Sequence, residues 1–67
     1  MDRVPVESDA LSSVGYEDET LEIEFSSGTV YQYYDVPEDV YEELMRATSH
    51  GEFFSDQIRD HFRYARV

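Results

Sequence analysis

Residues 20 to 34, Thr20-Leu21-Glu22-Ile23-Glu24-Phe25-Ser26-Ser27-Gly28-Thr29-Val30-Tyr31-Gln32-Tyr33-Tyr34, decide how this chain folds. Leu21, Ile23 and Phe25 alternate with Glu22 and Glu24, the period of a strand with one dry and one wet face. Ser26-Ser27-Gly28 then turns the chain, and Val30 to Tyr34 is rich in residues that suit strands. These residues make a β-hairpin whose register depends on its loop. A three-residue loop with Gly28 in the left-handed region sets Phe25 opposite Thr29, Ile23 opposite Tyr31 and Leu21 opposite Tyr33. A two-residue loop at Ser27-Gly28 sets Tyr31 beside Glu24 and Tyr33 beside Glu22, which turns both tyrosines to the wet face. The three-residue loop gathers five large apolar or aromatic groups on one face, and it is the expected register.

Outward from the hairpin, Leu11 to Tyr16 reads as an earlier strand, joined to Leu21 by the acidic turn Glu17-Asp18-Glu19. On the other side, Pro37 suits the first position of a helix, Glu38 and Asp39 suit its positive end, and Arg46 suits its negative end. Val40, Tyr41, Leu44, Met45 and Ala47 form an apolar stripe at helical spacing, with Glu42 and Arg46 spaced for an i,i+4 pair. Ser49-His50-Gly51-Glu52 has the spacing of a capping box and opens a second helix, with Phe53, Phe54 and Ile58 on its buried side. Phe62, Tyr64 and Arg66 then alternate with Arg63, Ala65 and Val67, as in a short final strand. The expected order is β-β-β-α-α-β. This is a small single α+β domain spanning 1–67, with its core from about residue 8, in which an antiparallel sheet carries two helices on one face.

A 67-residue chain buries only about 60% of its unfolded surface, so its core must be well used. Six tyrosines and four phenylalanines help to supply that core. The chain has no cysteine, hence no disulfide and no thiolate metal site. Asp2 and Arg3 follow Met1 in place of an apolar leader, and no long apolar run is present to span a membrane. A cytosolic domain with no membrane contact is expected.

Charge is the strongest compositional signal: sixteen Asp and Glu against five arginines and no lysine, a formal charge of −11. Acidic surfaces poor in lysine are a habit of proteins from salt-loving archaea, where molar salt shortens the Debye length to about 3 Å and the carboxylates scarcely repel. Such a charge keeps the body away from polyanions. The imbalance is uneven. Residues 1 to 58 carry fifteen carboxylates against Arg3 and Arg46, whereas the last nine residues carry Arg59, Arg63 and Arg66 against Asp60 alone.

Taken together, these landmarks resemble the KTSC domain family over nearly the whole chain, from about Ser8 to Val67. The matching pieces are Ser12-Ser13, Gly15-Tyr16, the Leu21, Ile23, Phe25 and Gly28 series, Tyr31-Gln32-Tyr33 and Val36-Pro37. They continue with Ala47-Thr48-Ser49-His50-Gly51, Phe53-Phe54, Ile58-Arg59 and the ending Phe62-Arg63-Tyr64-Ala65-Arg66. The family takes its name from the C-terminus of some lysyl-tRNA synthetases and also occurs as a free-standing protein. That company implies RNA as a ligand, with no catalytic activity implied. The chain departs from the family at Ser55, where asparagine is common, and in lacking lysine near the second helix and tail.

Candidate site residues follow from the chemistry of RNA binding. Tyr31 and Tyr33 are aromatic groups on a sheet, the type that stacks on bases, although the favoured register also makes them core residues. Arg59, Arg63 and Arg66 can grip a phosphate or carboxylate by paired guanidinium contacts, with Tyr64 among them as an exposed aromatic. Tyr34 points away from Tyr31 and Tyr33. His50, Glu52, Asp56 and His61 include metal-capable groups but lack the spacing of a metal motif, so no metal or cofactor is expected. Ser12-Ser13 read as strand-edge hydroxyls with no base to activate them, and no enzyme is expected. A second class of function is a protein-interaction module, either docking on a partner or forming a homodimer through an unpaired sheet edge.

Overall fold

The computed structural model describes residues 1–67. The elements are β1 (Arg3–Pro5), β2 (Leu11–Glu17), β3 (Thr20–Phe25), β4 (Val30–Tyr33), α1 (Glu38–Arg46), α2 (His50–Gln57) and β5 (Tyr64–Arg66). All five strands pair antiparallel in the order β1-β2-β3-β4-β5. The α+β class and the two helices match the expectation, but the order gains a strand, becoming β-β-β-β-α-α-β. The added strand, β1, is three exposed residues ending in a proline and offers no alternation to read. It lies against β2 where Gly15 has no side chain: a Cβ there would come within 2.7 Å of the Asp2 carbonyl oxygen.

The hairpin adopts the three-residue loop. Phe25 N–H donates to the Thr29 carbonyl, Gly28 takes φ 94°, and Leu21 faces Tyr33 while Ile23 faces Tyr31. Tyr31 and Tyr33 therefore share a face with Val14 and Tyr16 of β2, which sit opposite Ile23 and Leu21. The β2–β3 turn is tighter. Glu17 pairs with Thr20, leaving Asp18 and Glu19 as a two-residue loop at φ 51° and 62°. That left-handed pair matches the twist of the strands but costs about 1–2 kcal/mol for each residue with a side chain.

The helices close the apolar face. Leu44 of α1, Phe54 of α2 and Ile58 just beyond it join Leu11, Val14, Leu21, Ile23, Tyr33 and Val36 in the buried core. Pro37 is the N-cap of α1 and not its first helical residue; its carbonyl accepts from Val40 and Tyr41 N–H. Tyr16 locks the entry to this helix by donating to the Val36 carbonyl at 2.6 Å and stacking on Tyr41 at 4.8 Å. Ser49 caps α2 as expected, its hydroxyl accepting from Glu52 N–H at 3.2 Å. The Glu42–Arg46 pair does not form. The two ion pairs present are Arg3–Glu22 and Arg63–Asp35.

Candidate functional site

The two faces of the sheet differ in kind. On the outer face a polar network runs across four strands, and it begins at Arg3. The Arg3 guanidinium donates to Glu22 and to the Ser13 hydroxyl, and the Ser13 hydroxyl donates in turn to Glu24 at 2.9 Å. Gln32 donates to the other oxygen of Glu22 at 2.8 Å. Glu22 is only 7% exposed. Its carboxyl is held below the ordinary glutamate value by the Gln32 hydrogen bond and by Arg3, against the opposing effect of burial. Ser13 is thus a buried link in this network and not an edge hydroxyl, because β1 covers that side of β2.

The inner face is apolar, and the helices leave part of it open. Beyond Phe54 a groove of about 550 Å³ runs between α2 and the β4–β5 edge. Phe25, Tyr31, Tyr33, Phe54 and Tyr64 form its aromatic wall. Phe54 meets Phe25 and Tyr33 edge-on at 5.4 Å each, and Tyr64 lies 5.7 Å from Tyr31 and 5.5 Å from Tyr33. Register explains the gathering. Tyr33 pairs with Tyr64 and Tyr31 with Arg66, so all four residues stand on one face. Tyr64 keeps 58% of its surface exposed, whereas Tyr33 keeps 4%.

The groove also has polar lining groups, Ser55, Arg59 and Asp60 among them. The Tyr33 hydroxyl, with its pKa pushed up to about 12, remains a proton donor at neutral pH. Burial is the main cause, reinforced by the Tyr31 and Tyr64 hydroxyls and the Asp60 carboxylate and opposed by the Arg59 guanidinium.

Of the six candidate residues, Tyr31, Tyr33, Tyr64 and Arg59 line the groove, and Arg66 stands beside Tyr31 on the same face. Arg63 does not join them. It pairs with Asp35 at 2.8 Å and lies over the Tyr34 ring at 5.7 Å. The expected three-arginine cluster is therefore split, with Arg59 and Arg66 making no ion pair. Phe25, Phe54 and Asp60 are groove residues that sequence reasoning did not single out as site groups. The hairpin register places Phe25 beside Tyr31, so that residue had a readable signal. Of the metal-capable residues, His50 donates from Nδ1 to the Leu44 carbonyl and His61 from Nε2 to the Asp56 carbonyl. No group of three or more His, Cys, Asp or Glu side chains is placed to hold a metal ion. No helix is long and apolar enough to cross a membrane.

Comparison with known proteins gives consistent results. A sequence profile of the KTSC domain matches residues 7–62. A protein of Stutzerimonas stutzeri is 43% identical over 70 aligned positions that take in all of this chain and 99% of that one. The crystal structure of a KTSC domain protein from Yersinia pestis superposes with a TM-score of 0.95 at 38% identity, covering 98% of this chain and 96% of the other. A lysine–tRNA ligase of a Nostoc species is 43% identical over 49 residues, which are 73% of this chain but only 9% of that enzyme. The chain thus matches a small part of the ligase and nearly the whole of the free-standing proteins.

Proposed function

The chain belongs to the KTSC domain family, and from that footing we propose that it is a non-catalytic binding domain whose ligand is RNA. The observation that carries this reading is the open aromatic groove with Arg59 on its rim and Arg66 beside Tyr31. An exposed ring such as Tyr64 beside the half-buried Tyr31, with guanidinium groups at hand, suits unpaired bases and the phosphates between them. Relatives named as lysine–tRNA ligases add an RNA context. The formal charge of −11 repels phosphate, so affinity in this reading rests on stacking and on two local cations more than on long-range attraction.

Substitution tests this against short single-stranded RNA. Tyr64→Ala is expected to weaken binding by about tenfold, the measured worth of one base stacked on an aromatic ring. Arg59→Gln with Arg66→Gln is expected to weaken it by a similar or larger factor and to flatten its salt dependence. Arg63→Gln, whose partner is Asp35, is expected to leave binding unchanged. An Arg63 effect as large as the others, with none from Tyr64, would move the site away from the groove.

The β5 edge favours a second reading, a protein-interaction module. β1 ends in Pro5, which guards its edge, whereas β5 is a fully exposed edge strand with no proline. A partner strand or a second copy could add there. Equilibrium sedimentation that finds only monomer at high micromolar concentration would remove the homodimer from this reading.

A further inference from the structure

We infer that the groove discriminates among bases and selects guanine, an inference that rests on the RNA reading. The aromatic wall offers stacking to any base, because each has a π-face. Selection must come from the polar lining, where Arg59 and Asp60 are adjacent in sequence and both line the groove. An ionised carboxylate only accepts hydrogen bonds, through two oxygens, and a guanidinium only donates. Together the two side chains offer a ligand in the groove two acceptors and a set of donors.

Of the four bases, guanine alone carries the complement on its Watson–Crick edge: an acceptor at O6 followed by donors at N1 and N2. Asp60 can take both N–H groups while Arg59 donates to O6. Adenine offers one donor and one acceptor on that edge, and cytosine one donor beside two acceptors. Uracil places a single donor between two acceptors. Each of these leaves Asp60 with an unmatched oxygen or faces it with another acceptor. The same carboxylate that repels phosphate is thus suited to a base with two donors. Contact through the base and not the backbone also fits a strongly acidic body. Tyr33 also lines the groove, and its hydroxyl supplies one further donor.

The test uses the intact 67-residue chain and four single-stranded RNAs of sequence UUXUU, with X the variable base. Binding is read from tyrosine fluorescence, free of any tryptophan signal. Backbone amide NMR shifts provide a second readout. The guanine oligomer is expected to bind about tenfold more tightly than the other three, the worth of one well-made two-bond base contact. Asp60→Asn, an exposed position whose folding the amide spectrum checks, is expected to remove that preference, bringing the guanine-centred and uracil-centred affinities together. Equal affinity for all four bases, or a guanine preference that survives in Asp60→Asn, overturns the inference and leaves the RNA reading standing. Failure of every oligomer to bind overturns both.

Discussion

Phe54→Ala is expected to lower the stability of this domain by about 3–5 kcal/mol, the usual cost of deleting a buried phenylalanine. A single domain of this size holds only about 3–10 kcal/mol in all, so the variant should be largely unfolded at 37 °C. The reason is position. Phe54 is 5% exposed and projects from α2 onto the sheet, where its ring meets Phe25 and Tyr33 edge-on. With a radius of gyration of 10.4 Å, the molecule has few other layers to collapse into the gap. Phe54→Leu keeps most of the volume and is expected to fold, losing mainly the edge contacts, at roughly 0.5–1.5 kcal/mol each. Urea denaturation followed by far-ultraviolet circular dichroism separates the two. A loss below about 1.5 kcal/mol for the alanine variant would show that the site relaxes, and that Phe54 is not the link between helix and sheet.

The second large effect lies on the opposite face. Arg3→Ala is expected to cost about 2 kcal/mol at pH 7, because it strips a buried carboxylate of its cation while leaving it one hydrogen bond from Gln32. The pH dependence identifies the cause. The folded-state pKa of Glu22 is depressed, so its contribution is present above the unfolded glutamate value of about 4.3 and is lost as pH falls through the lower folded value. Without the Arg3 hydrogen bond and charge that folded value moves back up toward the ordinary one, and the acid-dependent loss shrinks. The two proteins should therefore differ most at neutral pH and converge in acid. A difference that stayed constant from pH 7 to pH 3 would assign the effect to lost packing of the arginine stem.

Much of this fold was readable from local rules. Strict alternation in Leu21, Ile23 and Phe25, together with the length of the Ser26-Ser27-Gly28 loop, determined which face Tyr31 and Tyr33 occupy. Ser49 and Glu52 marked the start of α2. β1 escaped because its placement depends on what Gly15 lacks, a property of a residue twelve positions from Arg3. The site was legible by composition and not by arrangement. Arg59, Arg63 and Arg66 look like one cluster along the chain, yet Arg63, just ahead of β5, turns to Asp35, 28 residues away. The groove draws on β3, β4, α2 and β5, and no local pattern joins Phe25 to Phe54 and Tyr64.

Strand order has a consequence for the way the molecule assembles. From β1 to β4 each strand pairs with its neighbour in sequence, so these contacts close through short loops. β5 is the exception: it reaches β4 only after residues 34–63, with both helices, are in place. A closure of that length costs more entropy, and it is repaid here by three exposed residues. Folding is therefore expected to zip the meander first and dock β5 last, and β5 is a strand with little to hold it during local opening. Tyr64 and Arg66 belong to that strand, so a ligand seated against them would stabilise the final step of folding.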